Sequence, residues 1–257
     1  MAAIYAQDFS ETEPSTPVTL PIRYWDAESM MAFFPLPTQQ VKGLLPSPQM
    51  KPVEVVPGYA VVSFVAFEYR DTDIGPYNEL GICFPILFNN PVSLPFVPLL
   101  FDKSYPRLGF YVHHLPVTTE IANRAGRDFY GYPKFVADIH FEESAAQRTC
   151  HLHEGGKHIL SLAVDKPEGR TREEERDLVT YSILGDKVLK TVIQTKMRVE
   201  HRRIRGADLT LGEHEISREL KGLGISPRII ESRYADDMEA LLPAPSPCQH
   251  LQRTWTS

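Results

Sequence analysis

Gly126-Arg127-Asp128-Phe129-Tyr130-Gly131-Tyr132-Pro133-Lys134-Phe135 places one lysine directly after a proline and among aromatic rings. Just upstream, Thr118 offers a helix N-cap ahead of Glu120, Ile121, Ala122 and Ala125. The helix so begun should stop near Gly131, because Tyr132 precedes a proline and is biased away from helical angles. Lys134 then falls at a helix-to-strand turn, with residues 135–141 running out as the next strand. A lysine is ordinarily a hydrated ammonium with a pKa near about 10.4, and in that state it attacks nothing. Burial among Phe129, Tyr132 and Phe135 would disfavour the charged form and free the amine lone pair for attack on a ketone. The plainer reading is a strand-start lysine whose stem packs on rings while its head stays in water.

Working outward, valine- and aromatic-rich residues 53–69 read as a long strand with Gly58 near its start, and 80–88 read as another. The loop between them carries Gly75-Pro76-Tyr77-Asn78-Glu79, so Glu79 sits where a turn re-enters a strand. Residues 110–115 read as a strand, and 149–153 with 158–164 flank Glu154-Gly155-Gly156-Lys157 as a β-hairpin. Residues 182–189 centre on a Gly185-Asp186 turn, and 190–204 alternate enough to form one long strand. Helices are predicted near 213–223 and 228–242. With 22 prolines punctuating these elements, the pattern is an α+β fold, mainly antiparallel β, with a few peripheral helices. No long linker, charge block or repeat divides the chain, so one domain is expected over 17–243, between a flexible arm (1–16) and a flexible tail (244–257).

Composition bounds the function. Hydrophobic content of 42% and charged content of 23% describe an ordinary globule, and 257 residues suffice for one large core. A net charge of -6 argues against nucleic acid as the partner, although Arg202, Arg203 and Arg205 form a local basic cluster. Three cysteines without metal-site spacing fit a reducing compartment. No basic patch leads into an apolar run at the amino terminus, and no stretch reaches the roughly 18 to 20 apolar residues of a membrane span. A cytoplasmic protein without membrane contact is therefore expected. His151, His153 and His158 lie across one predicted hairpin, but no cysteine pair or carboxylate is spaced to complete a zinc site, so no metal is expected. His113 and His114, adjacent on a predicted strand, should point to opposite faces, so that only one looks into a cavity.

The decapeptide resembles the active-site signature of the acetoacetate decarboxylase family, in which an aromatic-Pro-Lys supplies a Schiff-base lysine. Tyr77-Asn78-Glu79 resembles the family's Tyr-x-Glu, and Gly212-Glu213-His214 running on to Leu220, Leu223 and Gly224 is similar to its carboxy-terminal helix. The three blocks stand in family order and span about residues 20 to 242. The resemblance implies a strongly curved, barrel-like β-cone, no cofactor, a small-molecule keto acid as substrate and a homo-oligomeric assembly. It implies Lys134 as nucleophile and Glu79 as acid or base. Tyr77, Arg127, His113, Tyr132, Phe135 and Phe64 are the candidate substrate contacts. Arg127 could grip a carboxylate, brace Glu79 or cap the helix end.

The chain also departs from the family pattern. The decarboxylases carry a second lysine where Phe135 stands, a glutamate that falls near Phe64, and an amino-terminal arginine for which only Arg23 is available. Desolvation, with Arg127, would then have to lower the lysine pKa, and the pocket would suit a larger or less polar β-keto acid than acetoacetate. Decarboxylation to a ketone and carbon dioxide is the expected reaction. Aldol condensation and dehydration of pyruvate with an aldehyde needs the same lysine and Tyr-x-Glu, and a non-catalytic binding protein would keep the cavity without turnover.

Overall fold

The computed structural model describes residues 18–90 and 108–250, with side chains to 248. Seven strands close into a barrel: β1 (Ile22–Pro37), β4 (Tyr59–Thr72), β5 (Tyr77–Phe88), β6 (Leu108–His114), β10 (Arg172–Leu184), β11 (Lys187–Arg203) and β13 (Glu231–Leu242). Around the ring the order is β5-β6-β10-β11-β13-β1-β4, and the β4–β5 pairing completes the circle. All neighbours are antiparallel except β6 and β10. Short strands β2 (Met50–Pro52), β3 (Glu54–Val56) and β14 (Ser246–His250) extend β5, β4 and β11. A second antiparallel sheet runs β12-β9-β8-β7, from β12 (Ala207–Leu211), β9 (Lys157–Asp165), β8 (Gln147–Glu154) and β7 (Asp138–Glu143). Among the described residues the helices are α1 (Thr38–Leu44), α2 (Glu120–Tyr130) and α3 (Glu215–Gly222), and none is long and apolar enough to cross a membrane.

β4 shows how sequence builds the two layers. Its residues from Ala60 to Phe67 are all buried, so it does not alternate between core and solvent; it separates two cores. Val65, Phe67 and Tyr69 point into the barrel with Tyr24, Tyr77, Val112 and Met238. Val62, Phe64 and Ala66 point outward and pack with Ile139, Leu152, Leu160 and Leu220 of the small sheet and α3. The barrel interior is thus walled on its far side by a second apolar layer.

Several expectations are corrected. Residues 228–242 are not a helix: β13 lies between β1 and β11 and pairs with both, and this pairing overrides the helix-favouring Met238-Glu239-Ala240-Leu241-Leu242 run. The strand foreseen over 53–69 breaks at Gly58, whose φ of 86° turns β3 back onto β4. Helix α2 begins at Glu120 after Thr119, while the Thr118 hydroxyl instead accepts the Asn78 N–H at 2.9 Å. Residues 135–137 precede β7 and carry only a bridge from Val136 to Val117. Within the expected tail, Ser246–His250 is a strand on β11. The 1–16 arm lies outside the described residues.

Candidate active site

Helix α2 ends where glycine permits it. Gly131 adopts the left-handed conformation (φ 59°), its N–H returns to the Arg127 carbonyl at 3.2 Å, and the Tyr132 N–H reaches Gly126 at 3.0 Å. A side chain at Gly131 would meet the Ile183 carbonyl oxygen at 2.3 Å, so the turn is also pressed against β10. Beyond it, residues 115–118 act as a backbone strap between two segments. On one edge, Leu115 and Val117 N–H groups donate to Pro133 and Phe135 carbonyls (3.3 and 2.9 Å), and Ala137 N–H returns to Val117 (2.9 Å). On the other edge, Leu80 N–H donates to Pro116 (3.1 Å) and Thr118 N–H to Asn78 (3.0 Å). The strap therefore fixes Lys134 against β5, which carries Glu79.

The result is a contact across 55 residues of sequence: Lys134 Nζ donates to Glu79 Oε2 at 2.6 Å. Both are buried, at 7% and 6% exposure, inside the apolar barrel. The lysine stem crosses Gly126, where even a methyl group would collide with it. Three tyrosines complete the surroundings. Tyr69 OH donates to the other Glu79 oxygen at 3.5 Å, Tyr24 and Tyr77 share a hydroxyl hydrogen bond at 3.1 Å, and Lys134 Nζ stands 5.5 Å from the Tyr77 ring centre. Burial, with the Glu79 carboxylate as a further cause, raises the pKa of all three phenols, so they remain protonated donors.

Lys134 and Glu79 face a chamber of about 80 Å³ walled by Val65, Phe67, Cys83, Val112, Leu115 and Tyr132 among others. Among the described residues that line it, Lys134 is the sole cation and Glu79 the sole carboxylate. The Cys83 thiol is pushed up to about 12, chiefly by burial and then by Glu79, which leaves it a packing group rather than a nucleophile. Tyr132 is likewise pushed up to about 12 by burial, and its hydroxyl is hydrogen-bonded to Thr180 at 2.7 Å. Tyr24, Met31, Phe67, Phe110 and Met238 also line a larger cavity of about 1060 Å³, so the chamber adjoins a wide vestibule.

A family model for acetoacetate decarboxylase matches residues 7–240. The chain belongs to the acetoacetate decarboxylase family. Among solved structures it is similar to one from structural studies of acetoacetate decarboxylase, at 17% identity, 92% coverage of each chain and a TM-score of 0.71. It is also similar to acetoacetate decarboxylase from Legionella pneumophila subsp. pneumophila str. Philadelphia 1, at 15% identity, covering 96% of this chain and 94% of that one with a TM-score of 0.67. A third likeness is to the enduracididine biosynthesis enzyme MppR complexed with pyruvate, at 14% identity, 96% and 97% coverage and a TM-score of 0.65. Among curated protein sequences, none matches.

The acetoacetate decarboxylase fold brings together Lys134, Glu79, Tyr77 and Tyr132, and leaves the other sequence candidates elsewhere. Phe64, one residue out of phase with Val65, faces the outer core and not the chamber. Phe135 also packs against that outer cluster, and Phe129 is 39% exposed, so the rings around the amine are Tyr77 and Tyr132 instead. Arg127 reaches the Lys134 carbonyl at 3.5 Å and supports the turn.

His113 does not enter the chamber. A bulge pairs Ile82 with His114 and Cys83 with Val112, which puts His113 and His114 together, not on opposite faces, each bonded to one oxygen of Glu219 on α3 (2.5 and 3.2 Å). The two imidazoles outweigh the effect of burial and hold the Glu219 carboxyl well below the usual carboxylate range. Sequence reasoning missed Tyr24 and Tyr69. Pairing 53–69 with 80–88 as one hairpin would have put Tyr69 beside Tyr77; nothing local marks Tyr24.

Proposed function

We propose that this chain is a Schiff-base enzyme that decarboxylates a β-keto acid of apolar character. The observation that carries the reading is the buried Lys134–Glu79 contact at 2.6 Å in a chamber lined otherwise by apolar and hydroxyl-bearing groups. Glu79 takes a proton from Nζ, and the freed amine attacks the ketone carbon to give a carbinolamine. Glu79 returns the proton to the departing oxygen, and water leaves an iminium. The bond to the carboxylate then breaks, its electron pair moves into the iminium, and carbon dioxide and an enamine result. A proton drawn from water, relayed by Glu79 or through Tyr77, then adds to the enamine carbon, and water hydrolyses the resulting iminium to release the ketone and the lysine.

The chamber favours losing a carboxylate over holding one. Without a second cation among the described lining residues, a carboxylate beside Lys134 is poorly solvated, and its charge disperses as carbon dioxide departs. A reaction that must retain a pyruvate carboxylate through a second condensation step lacks an anchor there. Aldol condensation and dehydration remains the second reading, because MppR, similar in fold, has been captured with pyruvate and with a condensation product of pyruvate and imidazole 4-carboxaldehyde.

Borohydride reduction with a panel of β-keto acids and pyruvate, followed by peptide mass mapping, tests the proposal. An adduct on Lys134 lacking the mass of carbon dioxide, absent in Lys134→Ala, is expected. An intact pyruvate adduct that elongates with aldehydes would replace decarboxylation by the aldol reading, and no adduct from any panel member would sink both.

A further inference from the structure

The outer face of the small sheet carries a histidine cluster that the chemistry at Lys134 does not use. On β7, His140 and Glu142 are two residues apart and project from the same face. His151 on β8 is the direct cross-strand partner of His140, and the two rings stack with centroids 5.0 Å apart at 25°. One ligand atom from each of His140, Glu142 and His151 lies within 4.8 Å of the others. We propose that these three side chains bind one divalent transition-metal ion of the zinc class, with water completing its coordination.

The geometry around His151 supports this. Its Nδ1 is 2.8 Å from the Ser161 hydroxyl on β9, while its Nε2 is buried, makes no hydrogen bond and faces Glu142 Oε2 at 3.4 Å. Ser161 also contacts His158 Nε2 at 2.8 Å. A hydroxyl has one hydrogen to give, so one consistent arrangement has His151 donating through Nδ1 to Ser161 and Ser161 donating to His158. That arrangement leaves the His151 Nε2 lone pair directed at the Glu142 carboxylate, with the ring held by a partner on its other nitrogen, as metal-ligating imidazoles are. Zinc bonds of about 2.0–2.2 Å in a tetrahedron place neighbouring ligand atoms about 3.4 Å apart, which is the His151–Glu142 separation already present.

The hairpin of His151, His153 and His158 holds only one ligand of this set, and the other two, His140 and Glu142, come from β7 across the sheet. The second cluster, His113-His114-Glu219, differs because each carboxylate oxygen is already hydrogen-bonded to an imidazole, which explains it as a latch for α3 without an ion. A metal on His140, Glu142 and His151 would tie β7, the edge strand, to β8. The proposal is independent of the reading of Lys134.

The test is calorimetric titration of the chelator-stripped full-length chain with zinc chloride, and the visible spectrum with cobalt(II). The expected result is one ion per chain, with affinity lowered about tenfold or more in His140→Ala, His151→Ala and the exposed-site variant Glu142→Gln. Ser161→Ala should weaken binding by a similar factor without removing a ligand, and His113→Ala should leave it unchanged. Absence of binding, binding indifferent to Glu142→Gln and His151→Ala, or binding lost in His113→Ala would each overturn the proposal. Circular dichroism identifies any variant that fails to fold, and Glu142, largely solvent-exposed, provides the variant that cannot disturb the core.

Discussion

Replacing Gly126 by alanine should disable Lys134 without touching a charged group. A Cβ at this position would stand 2.4 Å from Lys134 Cδ, 2.5 Å from Cε and 3.1 Å from Cγ. Carbon atoms in contact settle at about 3.5–4.0 Å, so the lysine stem must move by about 1 Å or more. It has little room, since Lys134 is buried and its backbone is held by the 115–118 strap. The movement would separate Nζ from Glu79 Oε2, now at 2.6 Å, and displacement of a reacting group by about 1 Å costs on the order of 100-fold in rate. Stability should change much less. Alanine gains about 1 kcal/mol of helix propensity over glycine within α2, against about 1–3 kcal/mol for overpacking. Thermal midpoint by circular dichroism and the rate of borohydride trapping on Lys134 measure the two effects separately. A Gly126→Ala protein that traps a keto acid at the wild-type rate, within about twofold, would refute the view that the glycine exists to let the lysine pass.

Three further perturbations probe neighbouring claims. Glu79→Gln keeps the shape of the acceptor but removes the base, so imine formation should slow by about 10²–10⁴-fold in a trapping assay with no change in the residue modified; an unaltered rate would remove Glu79 from the chemistry. Phe135→Lys restores the decarboxylase-like charge at a position that faces the outer apolar cluster, so a denaturant titration should show lower stability by about 1–3 kcal/mol. The pH midpoint of trapping should stay where it is, and a clear acidic displacement would show that residue 135 does act on Lys134. Glu231 sits between His201 and Arg233, which outweigh burial and hold its carboxyl down to about 2. Because that value is lower than in the unfolded chain, its stabilisation is complete above about pH 4.5 and is lost as pH falls toward about 2. Urea midpoints of wild type and Glu231→Gln should differ at pH 7, differ less at pH 3 and converge only as pH approaches about 2, and an equal gap at pH 7 and pH 3 would refute the linkage.

The two residues of the buried Lys134–Glu79 contact were singled out in the sequence, and most of their surroundings were not. Tyr-Pro-Lys after a helix-ending glycine and Tyr-x-Glu at a strand entry are short local patterns, and it is their joint resemblance to the acetoacetate decarboxylase signature that singled out Lys134 and Glu79. The candidates that moved elsewhere depended on which face of a strand each residue takes. Phe64 and Phe67 look alike in sequence, yet one lies in the outer core and the other lines the chamber, because every position of β4 from Ala60 to Phe67 is buried and hydrophobicity no longer marks a face. His113 was misplaced by a bulge, which shifts the phase by one residue and leaves no trace in composition. The helix expected over 228–242 failed for a third reason: its local preference is real, but two long neighbours in a closed barrel decide the outcome.

The strap fixes the Lys134–Glu79 contact independently of the chamber walls. Five main-chain hydrogen bonds join residues 115–118 to the Lys134 segment on one side and to β5 on the other, and none depends on side-chain identity. Only glycine at 126 and the left-handed turn at Gly131 impose a residue type on that framework. Apart from Cys83, Leu115 and Tyr132, the side chains around the pair project from β1, β4, β6, β10, β11 and β13, which meet Lys134 through packing alone. Changes on those strands can therefore reshape the chamber without moving the Lys134 amine relative to the Glu79 carboxylate. Phe64 and Phe135 do not shape the chamber, since both pack in the outer cluster, and its opening is bounded instead by the Tyr24, Met31, Phe67, Phe110 and Met238 surface shared with the vestibule.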